Sequence, residues 1–123
     1  MIFEIDGYNA LRTALHKMCL SLQEEQLPEG AVFNCKLVAD ELLSNALQYG
    51  GGSAVFAFER RGDLVRIVVK SANDFQPPEN SACSPVDEER GRGLFLVDAV
   101  SETRFYSKEE GVSVTVRITS DLI

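Results

Sequence analysis

The fold class this sequence predicts is an α+β two-layer sandwich, one mostly antiparallel sheet with its helices on a single face. Three observations predict it. Two long segments repeat apolar residues at helical spacing in the first half of the chain. Four later segments with strand character form two consecutive pairs, closed by the short turns Arg60-Arg61-Gly62-Asp63 and Lys108-Glu109-Glu110-Gly111. In the last of them Val112, Val114, Val116 and Ile118 alternate with Ser113, Thr115 and Arg117, the pattern of a sheet with one buried and one wet face. Such a sheet leaves one side for helices to cover.

Each element can be justified in order. Ile2 to Ile5 alternates apolar and acidic residues and fits an edge strand. Tyr8, Leu11, Leu15, Met18 and Leu22 then mark the buried stripe of a helix, which Leu27-Pro28-Glu29-Gly30 ends. His16 lies off that stripe and reads as a solvated helix position. A second helix is expected from about Ala31 to Tyr49, stopped by Gly50-Gly51-Gly52, with Val38, Ala39, Leu42, Leu43, Ala46 and Leu47 as its apolar arc. Strands follow at Ser53–Glu59 and Leu64–Lys70, the second rich in β-branched residues and suited to the sheet centre. Residues 71–90 lose periodicity and carry Pro77, Pro78 and Pro85; a loop of that length in a small domain reads as a binding loop or lid, placed at about 76–90. A short helix, roughly Leu94 to Val100, and strands at Glu102–Ser107 and Val112–Thr119 complete the chain.

Composition sets the bounds. The 123 residues are 45% hydrophobic and 25% charged, those of one globular domain spanning 1–123. Nineteen acidic residues against twelve basic ones give a net charge of −7, which argues against a nucleic-acid or anionic-membrane surface. It leaves room for a single anionic ligand held locally. The cysteines Cys19, Cys35 and Cys83 show no metal-ligand spacing. Cys19 and Cys35 fall in helical patterns as small apolar residues, and Cys83 lies in the polar loop. Free thiols, the absence of a membrane-length apolar run and a charged N-terminus together lead us to expect a cytoplasmic protein.

Two segments carry chemistry. In Glu41-Leu-Leu-Ser-Asn45 a carboxylate and a carboxamide stand four residues apart on the second helix, so that both reach one ligand. An amide oxygen suits Mg²⁺, and a carboxylate suits a general base beside a transferring phosphoryl group. Glu41 and Asn45 both sit at one edge of the apolar arc, and taken alone the pair fits best as the boundary residues of an amphipathic helix. Farther on, Arg90-Gly91-Arg92-Gly93-Leu94 is a glycine-rich turn leading into a helix, able to hold phosphate oxygens on backbone N–H groups. Together the two segments read as a nucleotide site.

With these residues in view, the chain resembles the GHKL superfamily, the histidine-kinase-type or Bergerat ATP-binding fold, and within it the bacterial anti-sigma-factor serine kinases. Glu41-Leu-Leu-Ser-Asn45-Ala46 resembles the family's N box, and Arg90-Gly91-Arg92-Gly93-Leu94 its second glycine box. The resemblance covers essentially the whole chain. It implies ATP and Mg²⁺ as cofactors, with Asn45 on the metal and Glu41 as catalytic base toward a serine hydroxyl or water. It further implies Arg90 or Arg92 near the γ-phosphate and the backbone around Gly91, Gly93 and Leu94 cradling the phosphates.

The chain departs from the family in two places. Tyr49-Gly50 stands where the family often has His-Gly, near the nucleotide. More seriously, the family's Asp-x-Gly-x-Gly box, whose aspartate receives the adenine amino group, aligns with Ser71-Ala72-Asn73-Asp74-Phe75. Ser71 takes the aspartate's place and Asn73 that of its glycine, with Asp74 as an alternative acceptor. Loss of one charge-assisted bond costs about 1.5–3 kcal/mol, ten- to a hundredfold in affinity.

Two functions from different classes fit these features. One is an ATP-dependent protein serine/threonine kinase of the partner-switching type, acting on a small antagonist protein and binding a sigma factor. The other is a degenerate module that binds a protein partner without productive ATP turnover. No phosphoacceptor histidine context surrounds His16, so a sensor histidine kinase is not expected. A homodimer is compatible with the resemblance, though nothing in the sequence marks its surface.

Overall fold

A computed structural model describes residues 1–73 and 95–118. The order of elements is β1 (Ile2–Ile5), α1 (Tyr8–Glu24), α2 (Glu29–Tyr49), β2 (Ala54–Arg61), β3 (Leu64–Ser71), a helical segment at 95–100, β4 (Thr103–Ser107) and β5 (Gly111–Arg117). The five strands form one sheet in the order β1-β2-β3-β5-β4, and every pairing is antiparallel. The expected α+β sandwich is therefore present, with α2 packed along the sheet and α1 beside it.

Alternation decides which face the helices cover. Phe56 and Phe58 on β2, Val65, Ile67 and Val69 on β3, and Val112, Val114 and Val116 on β5 are all buried. They meet Leu11, Leu15, Met18 and Leu22 from α1 and Val38, Leu42, Leu43 and Ala46 from α2 in one core. At about 25 cal/mol per Å² of apolar surface removed from water, this layer is the main stabilising term. The edge strand β1 is anchored by Phe3, whose ring stacks on Phe56 and Phe58 at centroid distances of 5.7 and 6.3 Å. The other face is open. There Arg66 pairs with Glu110, Arg117 with Glu102 at 2.5 Å, and the hydroxyls of Thr103 and Thr115 stand 2.6 Å apart.

The boundaries differ from the sequence reading at three places, each for a local reason. Tyr8, expected on the α1 stripe, is 47% exposed at the first position of the helix, and the buried stripe begins at Leu11. The α1–α2 junction is a Schellman-type cap. Leu27 N–H donates to the Leu22 carbonyl at 3.2 Å, Gln26 N–H donates to that of Gln23 at 2.9 Å, and Gln26 has φ 62°. Leu22 and Leu27 are both buried, which supplies the apolar contact of that motif. Pro28 then caps α2, whose helix begins at Glu29, two residues earlier than expected, since proline's fixed φ is compatible with a helix start. Finally, the β2–β3 connection is a two-residue turn, Gly62-Asp63, with Arg61 paired to Leu64. Gly62 adopts φ 59°, a conformation glycine takes without steric cost, so β2 runs on to Arg61 instead of ending at Glu59.

The helical segment at 95–100 is tied to β4 by a fork. Arg104 Nε donates to Asp98 Oδ1 at 2.7 Å and Arg104 Nη2 to Asp98 Oδ2 at 3.0 Å. Val97, fully buried, fixes the other side of that segment in the core. Among the described residues no helix is long and apolar enough to cross a membrane.

Candidate functional site

Helix α2 positions the two residues on which the site rests, and its geometry separates their environments. Asn45 follows Val38 by seven residues, which on a helix returns the side chain to within about 20° of the same direction. Val38 is fully buried, so Asn45 is drawn into the core side and is only 6% exposed. The sequence reading placed it at the edge of the apolar arc; it lies inside. Among the described residues Asn45 is the one buried polar residue, and its Nδ2 has no hydrogen-bond partner. A buried amide in that condition costs about 1–3 kcal/mol, so the fold holds a group whose partner comes from elsewhere. A phosphate oxygen satisfies the amide nitrogen. A half-turn about the last side-chain bond presents the oxygen instead, the donor a Mg²⁺ ion accepts. The residue fits both members of a metal–nucleotide pair.

Glu41, one turn earlier, is half-buried. Burial pushes its carboxyl above the usual range, and the neighbouring Asp40 carboxylate adds to the shift. It lines a cleft of about 290 Å³ with Phe33, Lys36, Leu37, Asp40 and Leu96. Phe33 and Leu96 are 64% and 41% exposed, so apolar surface borders the carboxylate on both flanks. No ion pair or hydrogen bond engages Glu41 among the described residues. A carboxylate held this way is a better proton acceptor near neutrality than an exposed one.

The C-terminal end of α2 meets the end of β3. Asn73 N–H donates to the Gly50 carbonyl at 2.9 Å, and Ala72 N–H donates to the Ser53 carbonyl at 2.9 Å. Ser71 shares the parity of Val65, Ile67 and Val69 and therefore faces the helix layer. Glycine at position 50 makes this approach possible, since a Cβ there would stand 2.5 Å from both Cβ and Oγ of Ser71. Gly51, at φ 96°, is similarly close to the Asn73 side chain. Tyr49, the last residue of α2, is 44% exposed beside this corner.

Of the residues singled out from sequence, the fold thus aligns Glu41, Asn45, Tyr49, Ser71 and Asn73 along α2 and its C-terminal corner. Asp74, Arg90, Gly91, Arg92, Gly93 and Leu94 lie outside the described residues, as do Cys83 and the segment 76–90. Two features were not anticipated. Gly50 was read as a helix stop and also serves as the contact for Ser71. Phe33 lies off the apolar arc of α2, and an aromatic on the exposed side was the available signal for the surface beside Glu41. No group of three or more His, Cys, Asp or Glu side chains suited to hold a metal occurs among the described residues.

A family model of the histidine kinase-like ATPase domain matches residues 7–118. The chain belongs to that family. The match runs from the start of α1 to the end of β5 and includes every element of the site. Among curated proteins, none matches the chain. Membership makes this an ATP-binding domain of the histidine kinase-like type.

Proposed function

We propose that this domain transfers the γ-phosphoryl group of ATP to a serine or threonine hydroxyl of a small partner protein, within a regulatory circuit that also engages a sigma factor. The observation that carries the reading is Glu41: a half-buried carboxyl with a raised pKa and no partner among the described residues, in a cleft accessible from outside, one turn from the buried Asn45. The acceptor oxygen forms the new bond to the γ-phosphorus, the bond to the ADP oxygen breaks, and the hydroxyl proton passes to Glu41. Asn45 would orient the phosphates and would hold Mg²⁺ through its amide oxygen; the ion would supply positive charge to the phosphates. Phe33 and Leu96 give the acceptor protein an apolar surface to cover beside the base, which excludes water from the transfer.

The test uses γ-labelled ATP, Mg²⁺ and an extract of the source cells as acceptor pool. Label on serine or threonine of a small protein, lost with Glu41→Gln, is the expected result. Undiminished labelling by Glu41→Gln contradicts the base assignment. ATP binding with no transfer to protein or to water contradicts the kinase. That outcome favours a second reading, a module that binds its partner without turnover, for which the uncharged Ser71 at the base-reading position is the motivating observation.

A further inference from the structure

Strand β4 inverts the usual arrangement of apolar and charged residues. Arg104 and Tyr106 stand opposite the buried Val114 and Val112 of β5 and so face the helix layer, while Phe105 points to the open face and is 66% exposed. The arginine side chain is only 12% exposed, which costs hydration unless the charge is met. Asp98 meets it. The fork from Nε and Nη2 spans both carboxylate oxygens and joins β4 to the helical segment at 95–100. A helix as short as that segment does not hold its geometry alone, so its orientation comes from its anchors. Successive side chains on a helix turn by about 100°. With Val97 buried in the core, Leu96 and Asp98 therefore splay to opposite flanks. Asp98 takes the flank toward β4, and Leu96 takes the flank toward α2, where it lines the cleft with Glu41. The other described residues lining that cleft all belong to α2.

We propose that Asp98 and Arg104 are positioning residues for the Glu41 cleft: the fork sets the 95–100 segment so that Leu96 stands as the wall that keeps water from the carboxyl. The inference rests on the base role proposed for Glu41 and adds what keeps that base partly dry. Arg104 acts through Asp98 and Leu96. Charge and position predict opposite signs when Arg104 is replaced. Loss of its positive charge, acting directly, would push the Glu41 carboxyl up; loss of the wall admits water and brings the carboxyl down toward the ordinary range. The charged residues lining the cleft beside Glu41, Lys36 and Asp40, lie on α2 and stay in place in either case, and Asp98 lies on the far flank of its segment.

The test follows the Glu41 carboxyl by NMR titration of the intact chain in wild type, Arg104→Gln, Arg104→Lys, Leu96→Ala and Phe95→Ala, with folding of each verified by its thermal transition. Wild type should titrate above the ordinary carboxylate range. Both Arg104 variants should fall toward that range, Arg104→Lys by less, since it keeps the charge and gives up the planar fork. Leu96→Ala should fall likewise with the ion pair intact. Phe95→Ala, 47% exposed on the same segment but outside the cleft, should match wild type. Labelled phosphoryl transfer should drop about ten- to a hundredfold in Arg104→Gln. Should Arg104→Gln fail to fold, Arg104→Lys and Leu96→Ala decide the matter. A Glu41 titration that stays in place or rises in a folded Arg104 variant overturns the inference, as does an unchanged one in Leu96→Ala. The titration needs no acceptor protein, so the predicted falls together with no transfer by wild type would contradict the proposed function alone and leave the positioning of Glu41 by the fork standing.

Discussion

At the scale of single residues, the two candidate site residues on α2 carry opposite signatures of cost, and both are measurable. Asn45 is buried, and among the described residues its amide nitrogen has no hydrogen-bond partner, a cost the free protein carries. Asn45→Ala removes that unpaired donor at the expense of a small void. We expect the thermal stability of the free protein to stay within about 1 kcal/mol of wild type, or to rise, while ATP affinity collapses. Loss of several kcal/mol in a denaturation experiment would instead make Asn45 a structural residue. Glu41 makes a pH-dependent prediction. Its folded carboxyl has a pKa above the unfolded value, so the folded state holds its proton more tightly, and stability falls as pH rises through that interval. Glu41→Gln is therefore expected to match wild type in acid, below the ordinary carboxylate range, and to equal or exceed it at neutral pH. Phosphoryl transfer should fall by about 10²–10⁴-fold in the same variant, with nucleotide affinity retained. A stability gap that widens toward acid would contradict the direction of the shift.

At the scale of elements, two turns hold the sandwich together and each has a sharp test. Gln26 sits at φ 62° in the α1–α2 cap, a position that costs a residue with a side chain about 1 kcal/mol and glycine less. Gln26→Gly should raise the midpoint of thermal unfolding, by up to about 1 kcal/mol in stability; a lower midpoint would mean the glutamine side chain has an unrecognised role. Gly111 opens β5 at φ 86°, and a Cβ there would collide with the Val69 carbonyl and Lys70 Cα of β3. Gly111→Ala should destabilise by more than about 2 kcal/mol, because backbone on both sides cannot yield. Unfolding at wild-type denaturant concentration would contradict this close approach. These turns also show where sequence reading reaches its limit. Helices and strands were legible because Leu11, Leu15, Met18 and Leu22 on α1, and Val112, Val114 and Val116 on β5, repeat at the period of their element. The Schellman cap was not, since it is signalled by Gln26, where the motif's usual residue is glycine. The two-residue turn at Gly62-Asp63 was blurred for the same kind of reason, as Arg60 and Arg61 read as turn residues by polarity while their backbones still pair across the hairpin.

At the scale of the whole molecule, the sheet, the α2 helix and the corner at Gly50 form the platform on which the proposed site rests. That Glu41 and Asn45 stand one turn apart on α2 was legible because four residues is nearly one helical turn. The degree to which Asn45 is buried was not, because it depends on the sheet that α2 packs against. The contact between Ser71 and Gly50 joins residues from separate elements and no local pattern announces it. Ligand linkage follows from the platform. ATP with Mg²⁺ at a hundred times its dissociation constant should stabilise the fold by about 2.7 kcal/mol, read as an upward shift of the thermal transition. The most direct test of the account is calorimetric titration of the protein with ATP and Mg²⁺, repeated on Asn45→Ala. The account predicts micromolar binding by the wild type that the Asn45→Ala variant loses while remaining folded. Absence of binding at millimolar ATP, or equal binding by both proteins, would contradict it.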